Sequence, residues 1–110
     1  MRTIAVLGAG SWGTALSVHL ARQGHQVRLW GRDQRLVDEM RVRRANAIYL
    51  ADVALPKGVS VTYDVGEALN HADLVVSAVP SHGCRAVLRA AAPYIKAGAT
   101  MVNANVCKQS

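Results

Sequence analysis

The chain has 110 residues, 51% of them hydrophobic, with no Phe and a formal net charge of +6 at pH 7. That length suits one domain with a sizeable core and excludes several. The core on offer is Val, Leu, Ile and Ala, the composition of a parallel sheet covered by helices on both faces.

The opening residues carry no basic region, apolar stretch and cleavage site, so no secretory signal is expected. No apolar run nears the ~20 residues that span a membrane. Cys84 and Cys107 and the four histidines (His19, His25, His71, His82) fall at no ligand spacing, so no metal site is read. Two reduced thiols in a cytoplasmic protein are the expectation.

Thr3 to Leu7 reads as a first strand that runs into Gly8-Ala9-Gly10-Ser11-Trp12-Gly13. A glycine-spaced turn alone also serves as an ordinary structural turn. Here it follows a strand and opens a helix, and a second strand comes next, which is the context of a dinucleotide site. Gly8 makes the tight turn, Gly10 lets backbone N–H groups approach a pyrophosphate, and Gly13 lets helix and strand pack closely. The positive end of the helix dipole adds to the attraction for an anion.

The helix runs from Ser11 to about Gln23, with Trp12, Ala15, Leu16 and Leu20 at helical spacing, and Gly24 ends it. Gln26 to Gly31 is the second strand. Asp33 caps a helix that carries Leu36, Val37 and Met40 on one face. From Arg44 to Gly58 the pattern weakens into a connection. Val59 to Thr62 is a short strand, and Asp64 with Glu67 reads as a capping box.

Leu74 to Val79 is a nearly continuous apolar strand that Pro80 stops. Ser81 caps a helix with Cys84, Val87, Leu88 and Ala91 on one stripe, and Thr100 to Ala104 is a last strand. Alternating strands and helices imply right-handed crossovers and a three-layer, doubly wound parallel sheet of Rossmann type. Residues 1–104 form this domain, and 105–110 read as a divergent tail.

In NAD-binding folds an acidic residue at the end of the second strand accepts hydrogen bonds from the ribose 2′-hydroxyl. Gly31 occupies that position here and Arg32 follows it. A guanidinium there suits a 2′-phosphate, so NADP(H) is favoured. Asp33 keeps NAD open, although its better role is helix cap. Arg35, Arg41, Arg43 and Arg44 crowd the same segment. They read either as a solvated helix face or as a site for a phosphate-bearing small ligand. No aromatics interleave with them as nucleic-acid binding would need.

Four segments together resemble the amino-terminal domain of bacterial NAD(P)-dependent glycerol-3-phosphate dehydrogenases. They are Gly8 to Leu16, Leu29-Trp30-Gly31-Arg32-Asp33, Arg44-Ala45-Asn46-Ala47-Ile48-Tyr49-Leu50 with Leu55-Pro56, and Val79-Pro80-Ser81-His82. The resemblance implies that Ser11 and Trp12 touch the cofactor diphosphate and Arg32 its 2′-phosphate, with Val79 to Ser81 bordering the cofactor. It also implies reduction of dihydroxyacetone phosphate to sn-glycerol 3-phosphate, feeding phospholipid synthesis.

The family's catalytic domain is a helical bundle carboxy-terminal to this one. A truncated cofactor-binding domain, not catalytic alone, is therefore expected, with a phosphorylated substrate only if such a bundle is supplied. Where the family has a lysine-bearing turn, ungapped alignment places Asn105-Val106-Cys107, and Lys108 falls two residues late. No catalytic residue is assigned. His82 reads as a partly exposed residue of a first helical turn, and Cys84 as a small apolar one. A non-catalytic NADP(H)-binding module and the cofactor domain of another hydroxyacid-type reductase are the alternatives. Self-association through an exposed apolar patch is expected in either case.

Overall fold

The computed structural model describes residues 2–46, 50–79 and 81–104. Five parallel strands form one sheet: β1 (Thr3–Leu7), β2 (Gln26–Trp30), β5 (Val59–Thr62), β6 (Leu74–Ser77) and β7 (Thr100–Asn103), in the order β5-β2-β1-β6-β7. β1 lies at the centre, and its alternating side chains explain why it is apolar from Ile4 to Leu7. Ile4 and Val6 enter a cluster with Val18, Leu36, Val37 and Met40 on one face. Ala5 and Leu7 enter a second cluster with Leu69, Val75, Val87 and Ala91 on the other. Helices α1 (Ser11–Arg22) and α2 (Gln34–Arg43) supply the first face, and α3 (Val65–Leu69) and α4 (Ser81–Ala91) the second. This is the doubly wound, three-layer Rossmann-type arrangement expected from the alternation of elements.

The cover stops short of one rim. All four residues of β7 are exposed, with Met101 and Val102 among them. At the opposite rim the outward carbonyls of β5 are occupied. Gly58 and Thr62 turn their carbonyls inward to the N–H groups of Val27 and Gly31, which leaves Val59 and Val61 facing out. Arg44 donates to Val59 O (2.8 Å) and Pro56 O (2.7 Å), and Arg41 to Val61 O (2.7 Å). Of the four arginines crowded after Asp33, only Arg35 and Arg43 behave as a solvated helix face. Arg41 and Arg44 close an edge strand against further pairing.

Several expectations need correcting. The segment after Arg44 is not an open connection. Strands β3 (Ala45–Asn46) and β4 (Leu50–Ala54) form an antiparallel hairpin. Its register shifts between Ala45 and Asn46, so no two-residue period survives to be read.

The buried side of α1 is Gly13, Thr14, Ser17 and Val18. Leu16 and Leu20 pack only partly, and Trp12 is 45% exposed. Small residues win because the helix runs so close to the sheet. Its buried hydroxyls are satisfied within the fold, Ser17 by donating to Gly13 O at 2.9 Å.

The capping box at Asp64 is relayed. Asp64 accepts from the N–H groups of Gly66 and Glu67, but its own N–H donates to Thr62 Oγ1 (3.0 Å), and that hydroxyl donates to Glu67.

β6 ends at Ser77, two residues earlier than expected. Ala78 N–H makes a last bond to Leu7 O, and there the chain passes against Gly8. α4 begins at Ser81 itself, so the expected cap is the first helical residue. Pro80 and the tail 105–110, with Val106, Cys107 and Lys108, lie outside the described residues.

Candidate functional site

The carboxyl ends of β1, β2 and β6 open into a groove of about 490 Å³. It is lined by Gly8 to Gly13 of the glycine turn, Trp30 to Asp33 beyond β2, Leu36, Ala78 and Val79 beyond β6, and Gly83 and Val87 of α4. All six site residues expected from the sequence (Gly8, Gly10, Ser11, Trp12, Gly13 and Arg32) meet in this one place. Open parallel sheets bind ligands in this kind of crevice, where neighbouring connections leave to opposite faces.

Each glycine has its own reason. Gly8 sits at φ +120°, and a Cβ there would lie 2.8 Å from Ala78 O. A Cβ on Gly13 would lie 1.8 Å from Gly8 O, so the first turn of α1 rests directly on the end of β1. A Cβ on Gly10 would meet nothing within 4 Å. That absence of a wall is the informative part, because the missing side chain leaves backbone open to the groove, not to the protein interior.

The electrostatics favour an anion. α1 begins at Ser11 with no acidic residue in its first turn, so its positive end faces the groove uncompensated. Arg32 adds a full charge, and its Nη2 lies 3.9 Å from where a Gly83 Cβ would stand. Asp33 is the one carboxylate among the described lining residues, and its Oδ1 accepts from the N–H groups of Arg35 (3.0 Å) and Leu36 (3.4 Å) as the cap of α2.

At the end of β2, a Cβ on Gly31 would stand 2.9 Å from Ala9 Cβ and 3.1 Å from Val37 Cγ2. An acidic side chain has no room at that position. Trp12 is tied to the rim of the sheet, its indole N–H donating to Ala104 O beyond β7.

Two residues that carried no expected role also belong to the site. Thr14 and Asn46 lie fully buried beneath the turn, and Asn46 Nδ2 donates to Ala9 O (2.8 Å) and Thr14 Oγ1 (2.9 Å). Their traces in the sequence are the segments Gly8 to Leu16 and Arg44 to Leu50, which contribute to the resemblance without a stated role for either residue. A larger cleft, about 720 Å³, lies along β5 between Arg28, Arg41, Arg44 and Lys57. Its arginines are committed to main-chain carbonyls: Arg28 to Asn70 O, Arg41 and Arg44 to the β5 rim. Among the described residues no cluster of three or more His, Cys, Asp or Glu could hold a metal ion. His82 falls in the first turn of α4. Cys84 is a free, half-buried thiol 3.6 Å from Ser77 Oγ.

Residues 3–108 match the family described as NAD-dependent glycerol-3-phosphate dehydrogenase N-terminus. The chain belongs to this family. Glycerol-3-phosphate dehydrogenase [NAD(P)+] of Thioalkalivibrio sulfidiphilus is 50% identical over 91 residues, which are 83% of this chain and 27% of that protein. The enzyme of the same name from Bacillus velezensis is 47% identical over 95 residues, covering 86% of this chain and 28% of its own length. Among solved structures, the glycerol-3-phosphate dehydrogenase of Coxiella burnetii superposes with a TM-score of 0.90 at 36% identity, over 94% of this chain and 32% of that one. This chain therefore spans under a third of the length of these relatives and corresponds to their amino-terminal domain. No described helix is long and apolar enough to cross a membrane.

Proposed function

We propose that the groove binds a nicotinamide dinucleotide, NADP(H) in preference to NAD(H), and that residues 1–104 are the cofactor-binding domain of a glycerol-3-phosphate dehydrogenase. The observation that carries this reading is the glycine turn over the start of α1, with Gly10 facing open space and Arg32 as the cation beside it. Gly10 and Ser11 would hold the pyrophosphate with main-chain N–H groups and the helix dipole, while Gly8, whose N–H is donated to Trp30 O, makes the turn and Gly13 lets α1 pack onto β1. Trp12 would flank it, and Arg32 would pair with the 2′-phosphate.

The nicotinamide supplies the hydride for reducing dihydroxyacetone phosphate to sn-glycerol 3-phosphate. This chain's part is to bind and orient the cofactor. Hydride transfer also needs a substrate held in line with its carbonyl polarised. The described lining of the groove presents no acid or base for that step, since Asp33 is committed to α2. Substrate contact would fall to the helical domain that the family resemblance implies, with residues 1–104 supplying the bound cofactor. Self-association would use the exposed rim at β7, and a reducing cytoplasm suits the free Cys84 thiol.

Calorimetric titration of the chain with NADPH and NADH tests the reading. Binding of both with NADPH tighter supports it, and no heat with either from folded protein overturns it.

A further inference from the structure

The glycine turn does not hold its own shape. The Ala9 carbonyl, between Gly8 and Gly10, points inward and accepts from Asn46 Nδ2 at 2.8 Å. The same amide donates to Thr14 Oγ1 at 2.9 Å, and Thr14 Oγ1 lies 3.4 Å from Ala9 O. Asn46 and Thr14 are both 0% exposed. Asn46 belongs to β3, on the hairpin that follows α2, far from the turn in sequence. It is not among the residues that line the groove.

A planar trans peptide holds its C=O and N–H in opposite directions. Anchoring the Ala9 carbonyl inward therefore turns the Gly10 N–H the opposite way, outward on the side of the groove that Gly10 lines. Freed from Asn46, that peptide plane is able to rotate, and a glycine on its far side opposes rotation least.

From this geometry we infer that Asn46 is a positioning residue for dinucleotide binding: it sets the Ala9–Gly10 peptide so that the Gly10 N–H faces the ligand's pyrophosphate. The role rests on the dinucleotide reading above. It separates two parts of the ligand. The pyrophosphate depends on the turn and hence on Asn46, whereas the 2′-phosphate depends on Arg32, at the end of β2.

The test is titration of the chain and its Asn46→Ala and Asn46→Asp variants with NADPH and with adenosine 2′-monophosphate, which carries no pyrophosphate. Both variants should bind NADPH about tenfold more weakly, the change expected on losing one hydrogen bond's worth of preorganisation. Affinity for adenosine 2′-monophosphate should change less than about twofold, as for a site outside the altered contact. Asp keeps the shape of Asn but offers the Ala9 carbonyl no amide proton, so it should rescue nothing. If neither variant folds, Thr14→Val, which removes the hydroxyl shared by the same amide, should lose NADPH affinity selectively. Unchanged NADPH affinity, or equal loss for both ligands, overturns the positioning role alone. Failure of the unsubstituted chain to bind NADPH overturns the dinucleotide reading itself.

Discussion

The indole N–H of Trp12, in the first turn of α1, donates to the carbonyl of Ala104, 92 residues later and just past the last strand. The helix that starts at the glycine turn is thus tied to the far side of the sheet across the mouth of the groove. Trp12 is 45% exposed, so its ring stands at the rim as a wall and does not fill the core. Groove and sheet rim are one mechanical unit, which makes the effects of substitutions in the turn separable by which way each side chain would grow.

Gly10→Ala adds a methyl to empty space at φ −76°, a conformation open to any residue. It should leave stability unchanged or raise it by up to about 1 kcal/mol, while abolishing NADPH binding. Gly13→Ala drives a methyl into Gly8 O and should cost about 3 kcal/mol of stability. Thermal unfolding beside NADPH titration separates the two, and a Gly10→Ala chain that binds normally refutes the glycine-turn assignment.

Gly31→Asp installs the acid found at the end of the second strand in many NAD-binding folds. Here it should not create an NAD enzyme. The new Cβ collides with Ala9, inside the glycine turn, and with Val37 in the core. Affinity for both NADH and NADPH should fall, with about 1–3 kcal/mol of stability lost. An increase in NADH affinity would contradict this.

Arg32→Ala should weaken NADPH binding by about 1.5–3 kcal/mol, the worth of a hydrogen bond to a charged group, and leave NADH nearly untouched. Equal losses for the two cofactors would remove the 2′-phosphate assignment.

Asp73 gives a pH signature. Its carboxyl is held below the ordinary aspartate value of 3.8, first by the hydrogen bond from Lys96 Nζ (2.5 Å) and next by the N–H of Thr3 (3.2 Å). The folded chain releases this proton more readily than the unfolded chain does. The contribution is therefore complete above 3.8 and is lost as pH falls through the folded-state value. Asp73→Asn, which imitates the protonated carboxyl, should lower the urea midpoint slightly at neutral pH, since the pair is exposed. Variant and parent should converge in acid. A constant difference across the range would exclude this linkage.

Strong local signals made most of the fold legible. β5 is found at the residues expected, and the capping oxygens of Asp33 and Asp64 mark the starts of α2 and α3. The groove residues were legible too, because glycines at positions 8, 10 and 13, directly after a strand and at the head of a helix, match the steric needs of a phosphate-binding turn. The β3–β4 hairpin was hidden because its register shifts after one pair. α1 misled because Leu16 and Leu20 look like a core face, whereas close approach to the sheet selects Gly13, Thr14 and Ser17. Asn46 was invisible as a contact, since the Ala9 carbonyl it meets leaves no mark in a sequence and Thr14, whose hydroxyl it also meets, lies 32 residues away.

The two rims of the sheet differ in kind. Along β5 the outward acceptors are filled by Arg41 and Arg44, so a strand arriving there would first have to displace two guanidinium groups. Along β7 no described arginine stands guard, and Met101 and Val102 lie bare. The sheet therefore has one edge closed by charge and one edged with apolar side chains. A strand added to this sheet would thus meet seated guanidinium groups at β5 and exposed apolar side chains at β7.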